Sequence, residues 1–429
     1  MKAGVSCRDI TPPTRTTLAD HIRYSTGVHD PLFAKALVLD DGENPVAIVS
    51  ADLCGGEPEF HSKAGQRIRE QTGIEHTLIN FTHTHSAPGA ASVPGDDYEP
   101  HEREWIERLN ATIPEIVTEA YANCLPVSLH AGRAPAQVGF NRRLADENGV
   151  VVMAVNEAGS VVPWVNVLEV RREDGSPSVI LFEHAAHPVI VHGSSTLTGA
   201  DYPGFAVQRI KEELGNDVTP IFAQGCGANI NGFPLKGGWD KAEKAGRKLG
   251  DAVLKALETT TEIKADKLVA RSTQITLPTE PLPTMEEWTE ASRDLKIFDL
   301  HGFRDRADQL EAIRKTIEHG EQPELPLQIN AVMLGTEWCL VTLQYEMFCE
   351  YELWVDENAP FDHTMTFAYT NGEKTYVAID EELARGVKGG YEAGSFPSLW
   401  AHNVRSLHTS LAVGIEGMIK DGIASLWKD

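Results

Sequence analysis

Two histidines separated by a single residue, His83 and His85, stand in the stretch Asn80–Gly89, which reads NFTHTHSAPG. Thr77-Leu78-Ile79-Asn80 leads in with the composition of a buried strand, and Ser86, Pro88 and Gly89 end it. Alternate residues of an extended chain point the same way, so both imidazoles are expected to project from one side of the strand mouth. Two imidazoles held on a rigid edge suit a metal centre or a proton-transfer site. An exposed polar turn is the alternative that H-x-H alone leaves open.

The other chemistry-bearing residues are dispersed. No H-E-x-x-H, P-loop, G-x-G-x-x-G or G-x-S-x-G occurs. A catalytic metal site would therefore be assembled from single residues at several strand ends, with three or four nitrogen and oxygen ligands and an open position. His83, His85, His184, His187, His192 and Glu346 are the available suppliers. Glu346 lies in the apolar context Gln344-Tyr345-Glu346-Met347-Phe348. A carboxylate buried there needs a cation beside it.

The elements that must position these residues alternate between the two structural periods. Residues 34–39 and 45–50 flank an Asp-Gly turn and predict a hairpin. Asp52 directly after it reads as a turn-capping residue. Trp105, Leu109, Ile113, Val117 and Ala120 recur at helical spacing, with a kink expected at Pro114. Strands are predicted at 164–171, 178–182 and 219–223, and helices from Asp201 to about Leu214 and from Lys241 to Leu257. Thr284 and Glu287 form a capping box for a charged helical region reaching about His319. Residues 327–334 and 338–343 predict a strand pair, 364–369 a further strand, and 407–427 a closing helix. Strands and helices mix without a regular βαβ rhythm, which predicts an α+β fold of layered mixed β-sheets flanked by helices.

The chain has 429 residues, 41% hydrophobic and 24% charged, enough for a sizeable core. A net charge of -25 excludes the basic footprint of a nucleic-acid binder or a basic membrane face. No apolar run has the length of a membrane span. The opening MKAGVSCRDITPP lacks the apolar core of a signal peptide, so a cytoplasmic location is expected. The six cysteines form no C-x-x-C pair, which argues for reduced thiols rather than a thiolate zinc cage. Nothing in the sequence specifies an oligomeric state.

AGVSCRDITPP, DPLFAKALVLDDG, NFTHTHSAPG, EHAAHP followed by GADYPG, QGCGAN and YEMF occur in an order that resembles the neutral ceramidase family, from about Ala3 to the region of Tyr391. The resemblance implies the ceramidase catalytic fold over residues 1–429 as one zinc-hydrolase domain; ceramidases continue into a C-terminal immunoglobulin-like domain, and this sequence is expected to depart from them in lacking one. It implies a Zn2+ site made of His83, His187, Glu346 and Tyr376. It also implies catalytic roles for His85 as proton carrier and for Arg142 and Tyr391 as donors to the oxyanion. His184 and His192 then fall to structural or supporting roles, such as orienting His187. The implied reaction is attack of a metal-bound hydroxide on the amide carbonyl of a small N-acyl substrate such as a lipid amide. Relatives carry a Gly-Asp-x-Ser turn where this chain has Gly225-Cys226-Gly227-Ala228-Asn229, which leaves Cys226 as either a nucleophile or a small buried thiol. Two alternatives stand beside amide hydrolysis. One is ester hydrolysis or β-elimination on a small polar sugar-derived substrate at the same metal site. The other is an inactive binding protein.

Overall fold

Apolar strands from the first two thirds of the chain assemble a nine-stranded sheet in the computed structural model, which describes residues 1–19, 23–94, 98–293, 306–396 and 409–428. Its order runs 219–224, 177–184, 164–172, 125–135, 2–9, 33–40, 46–51 and 76–81, with 261–263 pairing beside 125–135. The predicted hairpin is present: Phe33–Asp40 and Val46–Ala51 pair antiparallel. The two halves of the sheet join through a short ladder, Lys2 opposite Pro126 and Ala3 opposite Leu125. Asp52 does not cap a turn: it accepts from the Phe33 backbone N–H at 2.9 Å and so closes the open end of the hairpin.

Helices cover the outer faces of both halves. Pro58–Thr72 and Pro100–Ala122 bury Phe60, Ile68, Trp105, Leu109, Ile113 and Val117 against one half. The second helix is not interrupted at Pro114. Asp201–Leu214 and Trp239–Leu257 pack on the other half through Tyr202, Ile210, Leu249 and Val253. A four-stranded sheet, 268–277, 325–334, 338–343 and 363–367, lies on the inner side. Leu37, Leu39, Leu168 and Leu181 meet Leu340, Met365 and Phe367 in the core between the sheets. The helix Ile415–Leu426 closes the far face with Ile415, Ile419 and Ile423. Among the described residues the layers are thus helices, sheet, sheet and helix, as the apolar pattern predicts. No helix among them is long and apolar enough to cross a membrane.

The closing helix is shorter than its periodicity suggests. Thr409–Gly414 is not helical, and Gly414 stands at φ 106 just before the first turn. Leu411 reaches the same core from an extended segment that bridges to Thr279. Residues 407–408 of that expected helix, and 294–305 of the charged helical region, lie outside the described residues. The Thr284–Glu287 capping box is present, with reciprocal bonds of 2.8 and 3.2 Å.

The edge strand Thr219–Gln224 faces the first half of the sheet without a backbone partner there. Buried carbonyls on such an edge must find donors. Side chains supply them at alternate residues. Lys35 Nζ donates to Pro220 O at 2.9 Å, Ser50 Oγ to Phe222 O at 2.6 Å, and Asn80 Nδ2 to Gln224 O at 3.2 Å. Asn80 also accepts from the Gln224 N–H at 2.9 Å and donates to Ala368 O at 2.7 Å. One buried carboxamide therefore ties together the strand before THTH, the strand before QGCGAN, and the end of the strand His363–Phe367.

Candidate metal centre

His83, His187 and Glu346 each follow the C-terminal end of a strand: 76–81, 177–184 and 338–343 respectively. Loops beyond strand ends are free to vary while the strands hold their roots fixed. His83 is not in an extended conformation. The strand ends at Phe81, and His83 takes φ +63, a left-handed geometry rare outside glycine. Strand alternation therefore does not aim the two THTH imidazoles, contrary to the sequence-based expectation. The turn does so, leaving His83 and His85 with ring centroids 4.9 Å apart and Nε2 atoms 3.2 Å apart.

His187 is buried completely and His83 and Glu346 almost so. His187 Nε2 lies 3.0 Å from Glu346 Oε2, and His83 Nε2 lies 3.5 Å from the same oxygen. The ligand-type atoms of the three all fall within 4.8 Å of one another. On each histidine the other nitrogen is engaged by backbone. His83 Nδ1 donates to Cys54 O, and His187 Nδ1 donates to Gly227 O at 2.6 Å. A carbonyl can only accept, so the ring proton sits on Nδ1 and the Nε2 lone pair is turned toward Glu346. Two oriented imidazoles and one carboxylate form a donor set that fits zinc.

The electrostatics favour positive charge where the three meet. Burial opposes ionisation of Glu346, but the neighbouring His83 holds its carboxyl well below the usual range. Burial opposes a charged His83 too, and the Glu346 carboxylate still carries its pKa above the ordinary value. His187, desolvated and close to the Arg142 guanidinium, is lowered to about 3.

Tyr376 comes alongside through a short parallel pair, Glu346–Met347 with Tyr376–Val377. Its ring centroid is 6.5 Å from that of His187. Burial, followed by the Glu346 charge, pushes its phenol well above its ordinary value. Tyr391 stacks edge-on to Tyr376 at 5.5 Å. Arg142 lies 5.4 Å over the Tyr376 ring. Its Nε donates to Glu392 Oε1 at 2.7 Å and its Nη1 to Asn231 Oδ1 at 2.9 Å, while Nη2 is buried without a hydrogen-bond acceptor. Thus His83, His85, His187, Glu346, Tyr376, Tyr391 and Arg142 form one contiguous neighbourhood.

The remaining histidines separate. His184 Nδ1 donates to Trp164 O at 2.8 Å, and burial lowers its pKa to about 4. It does not orient His187, whose Nδ1 is held by Gly227. His192 lies 4.9 Å edge-on to His85, with Arg23 Nη2 3.2 Å from its Nδ1. Cys226 is fully buried, and desolvation pushes its thiol well above its ordinary value. Of its two sequence readings, the small buried thiol describes it and the nucleophile does not.

Four residues of the neighbourhood carried no sequence signal that singled them out. Tyr369 packs 4.3 Å from the His83 ring, and its hydroxyl donates to Glu346 Oε2 at 3.4 Å. Its segment adds to the strand His76–Phe81, with Phe81 N–H donating to Tyr369 O at 3.1 Å. Glu373 presses on Gly55, where a Cβ would come within 2.6 Å of its Oε2. Burial, then the Glu346 charge, raises Glu373 to about 8. Cys54 joins His83 and His85 in a second set of ligand-type atoms within 4.8 Å of one another. Asn80 was legible as the tail of a strand but not as its clasp.

A layered α+β protein with a buried two-histidine, one-carboxylate centre at its strand ends is the class these features define. The fold is that of neutral ceramidase. The structure of neutral ceramidase from Pseudomonas aeruginosa superposes with a TM-score of 0.71 at 18% sequence identity, covering 99% of this chain and 74% of that one. A structure of ceramidase complexed with C2 gives a TM-score of 0.70 at 16% identity, covering 94% of this chain and 73% of that one. No family model matches the sequence, and no curated protein matches it.

Proposed function

We propose that the protein is a zinc-dependent hydrolase that cleaves an amide bond of a small N-acyl substrate. The observation that carries this reading is the pair of imidazoles pinned at Nδ1 and turned by Nε2 onto Glu346. His83, His187 and Glu346 would hold the ion, with Tyr376 or Tyr369 beside them. Zinc in such a site acts as a Lewis acid and lowers the pKa of water to about 7. His85 is kept neutral by burial and by the adjacent His83, and so accepts and returns a proton at Nε2. Arg142 directs its unpartnered Nη2–H to the developing oxyanion, while Glu392 and Asn231 fix the guanidinium. Tyr391 supplies a second donor from beside Tyr376.

Metal analysis tests the reading. Purified protein is expected to hold close to one equivalent of zinc, and His83→Ala is expected to lose it. Absence of zinc, or a content unchanged by that substitution, would refute the metal assignment.

A second reading keeps the centre and changes the substrate. Glu373, held protonated by burial, the Arg23–His192 contact and the Arg142–Glu392 pair surround the centre with polar groups, which favours a small polar ester or sugar-derived acid over a long alkyl chain. A screen of N-acyl lipids against polar esters and uronates separates the two, by which class is turned over.

A further inference from the structure

Two carboxyl groups with no part in the proposed reaction meet beneath the turn that carries Gly227. Glu183 lies at the end of the strand Pro177–His184 and Glu352 on the helix Cys349–Asn358. They are 0% and 2% exposed. Glu183 Oε2 accepts from Asn166 Nδ2 at 2.8 Å, and Glu352 Oε2 accepts from the Cys226 N–H at 2.9 Å. The other oxygen of each, Oε1, is buried without a donor. Both groups crowd Gly225, where a Cβ would stand 2.4 Å from Glu183 Oε1 and 2.8 Å from Glu352 Oε2. Crowding the same point from two sides puts Glu183 Oε1 and Glu352 Oε2 no more than about 5 Å apart. Two carboxylates this close and away from water do not both ionise. One proton between them relieves the repulsion.

We propose that Glu183 and Glu352 share one buried proton and act as positioning residues for the candidate centre. They hold the Gly225–Cys226 backbone and thereby set the Gly227 carbonyl that fixes the His187 ring. The second half of this proposal rests on the metal reading above; the first half does not. Burial raises Glu183 to about 7 and Glu352 well above its usual range, consistent with a retained proton.

Charged and titratable groups face the pair from several elements, among them the Tyr202 phenol and the Cys349 thiol, both pushed well above their ordinary values by burial. Arg133, from the strand Leu125–Pro135, donates Nε to Asn166 Oδ1 at 3.0 Å and is paired with Asp356 on the helix that bears Glu352. Arg133 favours ionisation of the pair and Asp356 opposes it. Cys226 is held neutral by burial, and Glu350, on the same helix as Glu352, bonds to Asn229 Nδ2 at 2.9 Å. Arg133 is 36% exposed and links the pair to solvent through Asn166.

The test compares wild type with Glu352→Gln and Glu352→Ala. A Gln at 352 can keep its oxygen on Cys226 N–H and place an amide N–H where the shared proton sits. Both folded-state pKa values are raised, so the stabilisation from the proton is present below the ordinary glutamate range. It is lost as pH rises through the folded values. In zinc-free protein, the folding equilibrium of wild type relative to Glu352→Gln is expected to fall by up to tenfold per pH unit between about pH 5 and pH 8. Parallel stability curves for the two proteins would overturn the shared proton. For the positioning role, Glu352→Gln is expected to bind zinc as wild type does at neutral pH, whereas Glu352→Ala binds it about tenfold more weakly. If Glu352→Ala folds and binds zinc with wild-type affinity, the positioning role is refuted. The same holds if Glu352→Gln loses zinc while retaining its fold. Wild type that binds no zinc removes the metal reading and the positioning role together, and leaves the stability curves to judge the shared proton.

Discussion

Asn80→Ala should destabilise the protein and loosen the candidate centre together. The carboxamide is fully buried and makes four bonds: Oδ1 to Gln224 N, and Nδ2 to Ala368 O, Gln224 O and Thr370 Oγ1. The acceptors do not all become orphans when it is removed. Ala368 O keeps the Thr370 hydroxyl at 2.8 Å, and Gln224 O keeps the Ala368 N–H at 3.1 Å. Only the Gln224 N–H loses its partner outright. One buried orphan costs about 1–3 kcal/mol, and the lost shares at the two carbonyls add about 1 kcal/mol, for a total of about 2–4 kcal/mol. Asn80→Asp is nearly isosteric and should be worse than Ala at neutral pH. It keeps the acceptor for Gln224 N–H but turns a carboxylate oxygen toward two carbonyls in a dry site. Urea unfolding at constant m-value measures both, and zinc titration reads the effect on the centre. An Asn80→Ala loss below about 1 kcal/mol, or Asn80→Asp as stable as wild type, would refute the clasp.

Three further outcomes follow from the geometry. His83→Ala is expected to lose zinc, whereas His85→Ala keeps zinc and loses turnover; loss of zinc from both by metal analysis would make His85 a ligand instead. Arg142→Lys removes the fork that bonds Glu392 and Asn231 together with the free Nη2–H, and should lower kcat by about 100-fold with little change in KM. A change confined to KM would mean that Arg142 only binds substrate. His184, neutral in the fold with a pKa of about 4, takes up a proton more readily when unfolded. Stability from its neutral state is present above about pH 6.5 and is lost as pH falls through the folded value, at up to about 1.4 kcal/mol per pH unit. His184→Gln should remove one proton from that acid slope, as read by chemical unfolding across pH.

Local pattern and long-range geometry were unequally legible in the sequence. The hairpin at Phe33–Ala51, the helix Asp201–Leu214 and the strand Trp164–Arg172 follow from apolar period and turn residues, which are local quantities. The layering followed from the mixture of those periods. The closing helix was overextended because Leu411 and Ile415 are four residues apart and both buried, yet one comes from an extended segment and the other from a helix. Periodicity cannot separate two routes into one core. At the candidate centre, His187 and Glu346 are 159 positions apart, and no local signal joins them. Their pairing entered through resemblance in the order of motifs. Tyr369 and Glu373 carry no local mark: a tyrosine at the end of a predicted strand and a glutamate after a glycine are ordinary residues, and the strand itself ends at Phe367. Only the convergence of the Ala368–Asn371 segment with the strand His76–Phe81 gives them a place.

His83, Tyr345, Tyr369 and Asn371 stand at φ +63, +69, +50 and +64, all within or beside the candidate centre. A side chain in the left-handed region works against local backbone preference by roughly 1–3 kcal/mol, and glycine would relieve it. The centre therefore sits on a trade-off. Glycine at Tyr345 or Tyr369 would relax the backbone but leave a cavity where a buried ring stood, at about 3–5 kcal/mol, so the packed rings are what hold the strained backbone, and at His83 glycine would also erase a proposed zinc ligand.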